Sequence, residues 1–120
     1  DIAALRQSLV QIRDAIDTDG SAVAEVRRFY ELIAVASRNL VLGMLVNALH
    51  RMSEPAKIQY DATRWQASLR ESELLLDAIE RGDDEAARTI STRGVDAAMR
   101  YQEKTAPDQL NAPVCWIAAD

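Results

Sequence analysis

With 120 residues the chain has the size of one domain around one modest core. Its apolar share of 48% against 28% charged residues excludes a disordered segment, and a net charge of −5 excludes the basic footprint that direct contact with DNA or RNA phosphates requires. The single cysteine, Cys115, rules out an intrachain disulfide and fits a reducing compartment, so a cytoplasmic location is expected.

The nearly uncharged stretch at residues 40–49 is far shorter than the roughly 20 residues that span a bilayer, so no membrane contact is expected. The sequence opens on Asp1 without a charged and then apolar leader, and is expected to be a fragment of something longer.

Apolar residues recur at intervals of three and four, the helical period, which predicts an all-α fold. The first predicted helix carries Ile2, Leu5, Leu9, Ile12 and Ile16 and stops at Asp19-Gly20. Ser21 is the expected cap of the second, whose inward stripe is Val26, Phe29, Tyr30, Ile33 and Ala36 and which loosens at Ser37-Arg38-Asn39. A third, from Leu40 to about Met52, is apolar on nearly every face and is expected to be central or covered by a second subunit.

Ser53-Glu54-Pro55 reads as a cap and a first-turn proline opening a long fourth helix with Trp65, Leu69, Leu75, Leu76 and Ile79, which ends at Gly82. Asp83 or Asp84 caps a fifth, running through Ala87, Ile90, Ala97 and Tyr101 to Ala106-Pro107. The expected architecture is one domain over residues 1–120: an antiparallel bundle of about five helices at 1–105 and a tail at 106–120, where Val114, Cys115, Trp116 and Ile117 can dock on the bundle.

No enzyme is expected. One histidine and one cysteine build no nucleophile pair and no CxxC or HExxH metal spacing. No glycine-rich phosphate loop occurs either. His50 reads first as a surface or subunit contact and second as a ligand contact, and Asp77, Glu80, Asp83, Asp84 and Glu85 read as caps and solvated surface that favour the next helix dipole. Arg27 and Arg28 flank the apolar stripe of the second helix, where arginine is usually solvated but can reach a carboxylate. Trp65 and Trp116 are read first as packing and second as pocket lining.

Two segments carry a family resemblance. Residues 29–39, FYELIAVASRN, are similar to the "FHxxIAxASGN" stretch of the FCD domain, the C-terminal effector domain of FadR-type GntR transcription regulators. Residues 71–88, ESELLLDAIERGDDEAAR, resemble "EHxxILDAIxxGDxEAAR" of the same domain. The resemblance covers roughly residues 1–105. It implies a FadR C-terminal-domain-like all-α bundle that encloses an effector pocket and forms a homodimer. It also implies that the chain reaches DNA only through an N-terminal winged helix-turn-helix, which is absent here together with the first helix of the effector domain.

Many domains of this family hold a divalent metal with an Asp and three His. Carried over, these positions fall on Val26, Tyr30, Ser72 and Gly94, none of which replaces a carboxylate or an imidazole as a good ligand. The resemblance therefore implies a metal-less, cofactor-free variant with a less polar pocket. The expected ligand-binding residues are Val26, Arg27, Tyr30, Trp65, Ser68, Ser72, Ile90, Gly94 and Tyr101. The apolar run after Asn39 is similar to that of the acyl-CoA-responsive members and points to an acyl-CoA or fatty-acid-like effector. The alternatives are a dimerisation module whose pocket is filled by Tyr30 and Trp65, and a TetR-like effector bundle.

Overall fold

The computed structural model describes residues 2–38, 44–46, 48 and 59–110, and among them every regular element is a helix. Helix α1 (Ile2–Asp19) turns Leu5, Ser8, Ile12, Ala15 and Ile16 inward, the three-and-four spacing that puts side chains on one face. It ends where Gly20 adopts φ +70 and donates its N–H to the Ile16 carbonyl at 3.0 Å. A side chain is strained in that left-handed conformation, whereas glycine is not.

Helix α2 (Val23–Ala36) buries Phe29 and Ala34. The expected Ser21 cap does not form. Ala22 takes the cap position with no side-chain hydrogen bond, and its methyl group is fully buried in the core. Burial of Ala22 rather than a hydroxyl sets the register of this turn, with its carbonyl accepting from the Val26 N–H at 2.9 Å. Ala36, expected inward, is exposed. The helix loosens at Ser37 and Arg38, where Arg38 has φ 57 and the Ser37 hydroxyl donates to the Ala34 carbonyl at 2.6 Å.

Helix α3 (Ala62–Glu80) starts later than expected. Residues 59–61 are not helical, and the cap is Asp61, whose carboxylate accepts from the Arg64 N–H at 2.8 Å. A side-chain acceptor at that position satisfies one of the amides that a helix start leaves without a partner. The Ser53-Glu54-Pro55 signal, His50, most of the apolar helix after Leu40 and the docking residues 114–117 lie outside the described residues; 44–46 and 48 are helical. Trp65, Leu69, Leu75, Leu76 and Ala78 of α3 join the core.

The α3 terminus closes as expected at Gly82, with φ +67. The Gly82 N–H donates to Ile79 O at 3.1 Å and the Asp83 N–H to Ala78 O at 2.9 Å, a paired closure that satisfies the last carbonyls of the helix. Asp83 then caps helix α4 (Asp84–Thr105), its carboxylate accepting from the Ala86 N–H at 3.0 Å. A short helix α5 (Pro107–Leu110) follows.

The packing order decides where space is left. Helix α1 packs on α2 and on α3, and α4 packs on α3, so α2 and α4 sit on separate neighbours without extensive contact between them. The core gathers Leu5, Ile12, Phe29, Trp65, Leu69 and Leu76 between α1, α2 and α3, each large side chain contributing about 1.5–3 kcal/mol by leaving water. Arg6 grips Glu80 through two contacts of 2.8 Å, and Arg13 meets Glu73 at 2.6 Å, which aligns α1 with α3 on the outside.

Candidate functional site: a cavity between three helices

The seam that α2 and α4 leave over α3 is a partly open cavity of about 630 Å³. Val23, Val26, Arg27 and Tyr30 of α2 form one wall, Arg64, Trp65, Ser68, Glu71 and Leu75 of α3 the floor, and Ile90, Gly94, Val95 and Ala98 of α4 the other wall. Tyr60, just before α3, closes one end. Most of this surface is apolar, with a few polar groups, which is the character of small-molecule sites.

One ion pair sits in the floor. The Arg64 guanidinium donates through both terminal nitrogens to the two Glu71 oxygens, each at 3.1 Å. The two residues are seven apart, two turns of one helix, so they share the face that carries Trp65, Ser68 and Leu75. Only 10% of the Arg64 side chain is exposed, its guanidinium lies 5.3 Å from the Tyr60 ring centre, and its Nε is buried with no hydrogen-bond partner. Burial opposes the arginine charge, but the hydrogen bonds and charge of Glu71, followed by the hydrogen bond and charge of Tyr60, more than offset this and hold its pKa above the ordinary value. An unsatisfied buried donor costs roughly 1–3 kcal/mol.

Gly94 faces this pair. A Cβ at that position would stand 3.4 Å from a Glu71 oxygen. On the opposite wall, Tyr30 keeps 38% of its surface exposed and packs edge-on against Phe29 at 5.6 Å. Burial of its phenol, followed by the charge of Glu71 and the neighbouring Tyr60, raises its pKa against the opposing charge of Arg64, so the hydroxyl stays a proton donor at neutral pH. Tyr60 stands edge-on to Trp65 at 5.0 Å and to Tyr101 at 5.2 Å.

Seven of the positions singled out in the sequence line the cavity: Val26, Arg27, Tyr30, Trp65, Ser68, Ile90 and Gly94. Two do not. Ser72 is buried behind the floor, where its hydroxyl donates to the Ser68 carbonyl of its own helix at 3.1 Å. Tyr101 lies beyond Tyr60, and its hydroxyl accepts the Asp61 N–H at 3.0 Å. Arg28, considered beside Arg27, reaches Glu31 at 3.8 Å instead of the cavity. Arg64, Glu71 and Tyr60 were missed, although the opposite charges at 64 and 71, in register with Trp65 and Ser68, were a readable signal.

The FCD domain model matches residues 1–97 of the chain. The chain belongs to the FCD domain family. FCD domains are the effector-binding domains of GntR-family regulators, proteins that control transcription and are not enzymes. No curated protein and no solved structure matches the chain. No described helix is long and apolar enough to cross a membrane.

The residues at the family's metal positions do not fit a metal ion. Val26, Tyr30 and Gly94 face the cavity without an imidazole or carboxylate, Ser72 is turned away, and both oxygens of Glu71, the one carboxylate among the described lining residues, are engaged by Arg64. Among the described residues, no three His, Cys, Asp or Glu side chains converge.

Proposed function

We propose that this FCD domain senses a small organic effector, acyl-CoA or fatty-acid-like, in the cavity between α2, α3 and α4, without a metal. It works in the cytoplasm as a homodimer that passes the change to DNA-binding domains outside this sequence. The observation that carries this reading is the cavity itself: about 630 Å³, walled by apolar side chains from three helices, with polar groups concentrated around Arg64 and Tyr30. Such a volume lies within the roughly 300–1,000 Å³ of ligand pockets. Tyr30 and Trp65 line this space and do not fill it, which favours a sensor over a module that only dimerises.

Binding acts on the fold through differential affinity. Because α2 and α4 meet mainly across the cavity, a ligand bridging them stabilises one spacing of the two helices over another. Val95 and Met99, one turn apart on α4 and 63% and 46% exposed, offer an apolar strip to a second copy of the chain.

The test is a thermal-shift series with fatty acids and acyl-CoAs of increasing chain length. A ligand at 100 times its dissociation constant adds about 2.7 kcal/mol to stability, so a clear rise in Tm at one chain length is expected. No shift across the series leaves the dimerisation module as the better reading. Stoichiometric zinc, nickel or manganese in the purified protein overturns the metal-free part, and a monomer at all concentrations in light scattering overturns the dimer.

A further inference from the structure

We infer that the cavity selects an uncharged aliphatic molecule with a hydroxyl group, which donates to the Glu71 carboxylate and accepts from the Tyr30 phenol while its apolar body lies along Val26, Trp65, Ile90 and Val95. The inference rests on the reading of this cavity as an effector site and narrows a fatty-acid-like effector to its uncharged, hydroxylated relatives.

The ion pair in the floor is closed on itself. Both Glu71 oxygens take a hydrogen from Arg64, whose guanidinium is turned onto that carboxylate and the Tyr60 ring with its Nε buried. The Arg64 side chain is 10% exposed and that of Glu71 27%, so the carboxylate is the half of the pair that the cavity presents. Among the described residues only Arg64 donates to it. A carboxylate has about four lone-pair sites, so Glu71 accepts a further donor without giving up Arg64.

Tyr30 supplies the complementary group from the facing wall. Its phenol keeps its proton at neutral pH, held there by burial and by the charge of Glu71. A hydroxyl both donates and accepts without carrying charge, so it satisfies Glu71 and Tyr30 together. A carboxylate meets the like charge of Glu71 and finds the cations committed: Arg64 to Glu71, and Arg27, on the same wall as Tyr30, to an interaction of its own. An ammonium donates to Glu71 but offers no acceptor to Tyr30, and it gives up its water in a largely apolar enclosure. An ester accepts from Tyr30 and leaves Glu71 without a donor.

The 120-residue chain is titrated by calorimetry with octan-1-ol, octanoate, octylammonium, methyl octanoate and octanoyl-CoA. Octan-1-ol is expected to bind at least tenfold more tightly than each of the other four. Glu71→Gln releases Arg64 from its partner and is expected to invert the order, so that octanoate binds more tightly than the alcohol. Tyr30→Phe is expected to weaken octan-1-ol at least threefold and to leave octylammonium unchanged; with the wild-type order, this variant decides the question if circular dichroism shows Glu71→Gln unfolded. The inference is overturned, with the effector reading intact, if any of the other four compounds binds as tightly as the alcohol, if folded Glu71→Gln keeps the wild-type order, or if Tyr30→Phe binds octan-1-ol as the wild type does. If none of the five binds, the inference falls together with the effector reading.

Discussion

Arg64 and Glu71, two turns apart on one helix, face each other through paired contacts of 3.1 Å, and a Cβ at Gly94 would meet the carboxylate at 3.4 Å, an ordinary van der Waals contact. Glycine inside a helix costs about 1 kcal/mol relative to alanine. Gly94→Ala is therefore expected to raise Tm by about 4 °C, with the added methyl met by the flexible end of Glu71. Gly94→Leu, which projects into the cavity, is expected to fold and to lose effector binding. A fall in Tm for the alanine variant in calorimetry shows that the ion pair tolerates no such approach.

Ser8 gives a second stability test. It is fully enclosed in the α1 core face, and its hydroxyl has no hydrogen-bond partner. Leaving such a group unsatisfied costs roughly 1–3 kcal/mol. Ser8→Ala is expected to gain about 1 kcal/mol, seen as a higher urea midpoint at an unchanged slope. An equal loss of stability contradicts the burial of an unpartnered hydroxyl at Ser8.

The junction of α3 and α4 concentrates two devices in neighbouring residues. Gly82→Ala puts a Cβ on a backbone with φ +67 but into open space, so its cost is purely conformational, about 1–2 kcal/mol. Asp83→Ala removes the acceptor of the Ala86 N–H and is expected to cost about 1 kcal/mol, whereas Asp83→Asn retains most of it. Being neighbours, the two are not expected to add in the double variant. Urea denaturation of the four variants measures this.

Alkaline pH reads out Tyr30. Its pKa is raised by burial first and by Glu71 second. The folded state therefore holds the phenolic proton more tightly than the unfolded chain. The resulting stability is fully present below the ordinary tyrosine value of about 10 and is lost as pH rises through the folded value. Tyr30→Phe is expected to flatten the decline in stability above about pH 10, measured by urea melts at successive pH values. An unchanged decline places the phenol in water.

Much of the fold was legible because local signals and burial agreed. The stripe of α1, the stops at Gly20 and Gly82 and the cap at Asp83 all follow from periodicity and from conformations that few residues tolerate. The start of α2 was not legible, since Ser21 advertises a hydroxyl cap while the core claims Ala22. The start of α3 was misplaced because Asp61 caps it after the non-helical residues 59–61, despite the earlier serine and proline. At the site, helical spacing identified most of the wall but could not tell which inward residues face space and which face backbone. Ser72, one turn beyond Ser68, is consumed by a carbonyl of its own helix, and Tyr101 by the Asp61 amide. Arg64 and Glu71 were passed over because charges in a helix usually read as solvated surface.

Trp65 stands in the cavity floor, 3% exposed and edge-on to Tyr60, while the only other tryptophan, Trp116, lies outside the described residues. The chain thus carries its own optical gauge of occupancy. With Trp116→Phe leaving a single tryptophan, its indole lies in the floor beneath any molecule that enters. A change in emission colour or intensity then reports filling directly, without a label.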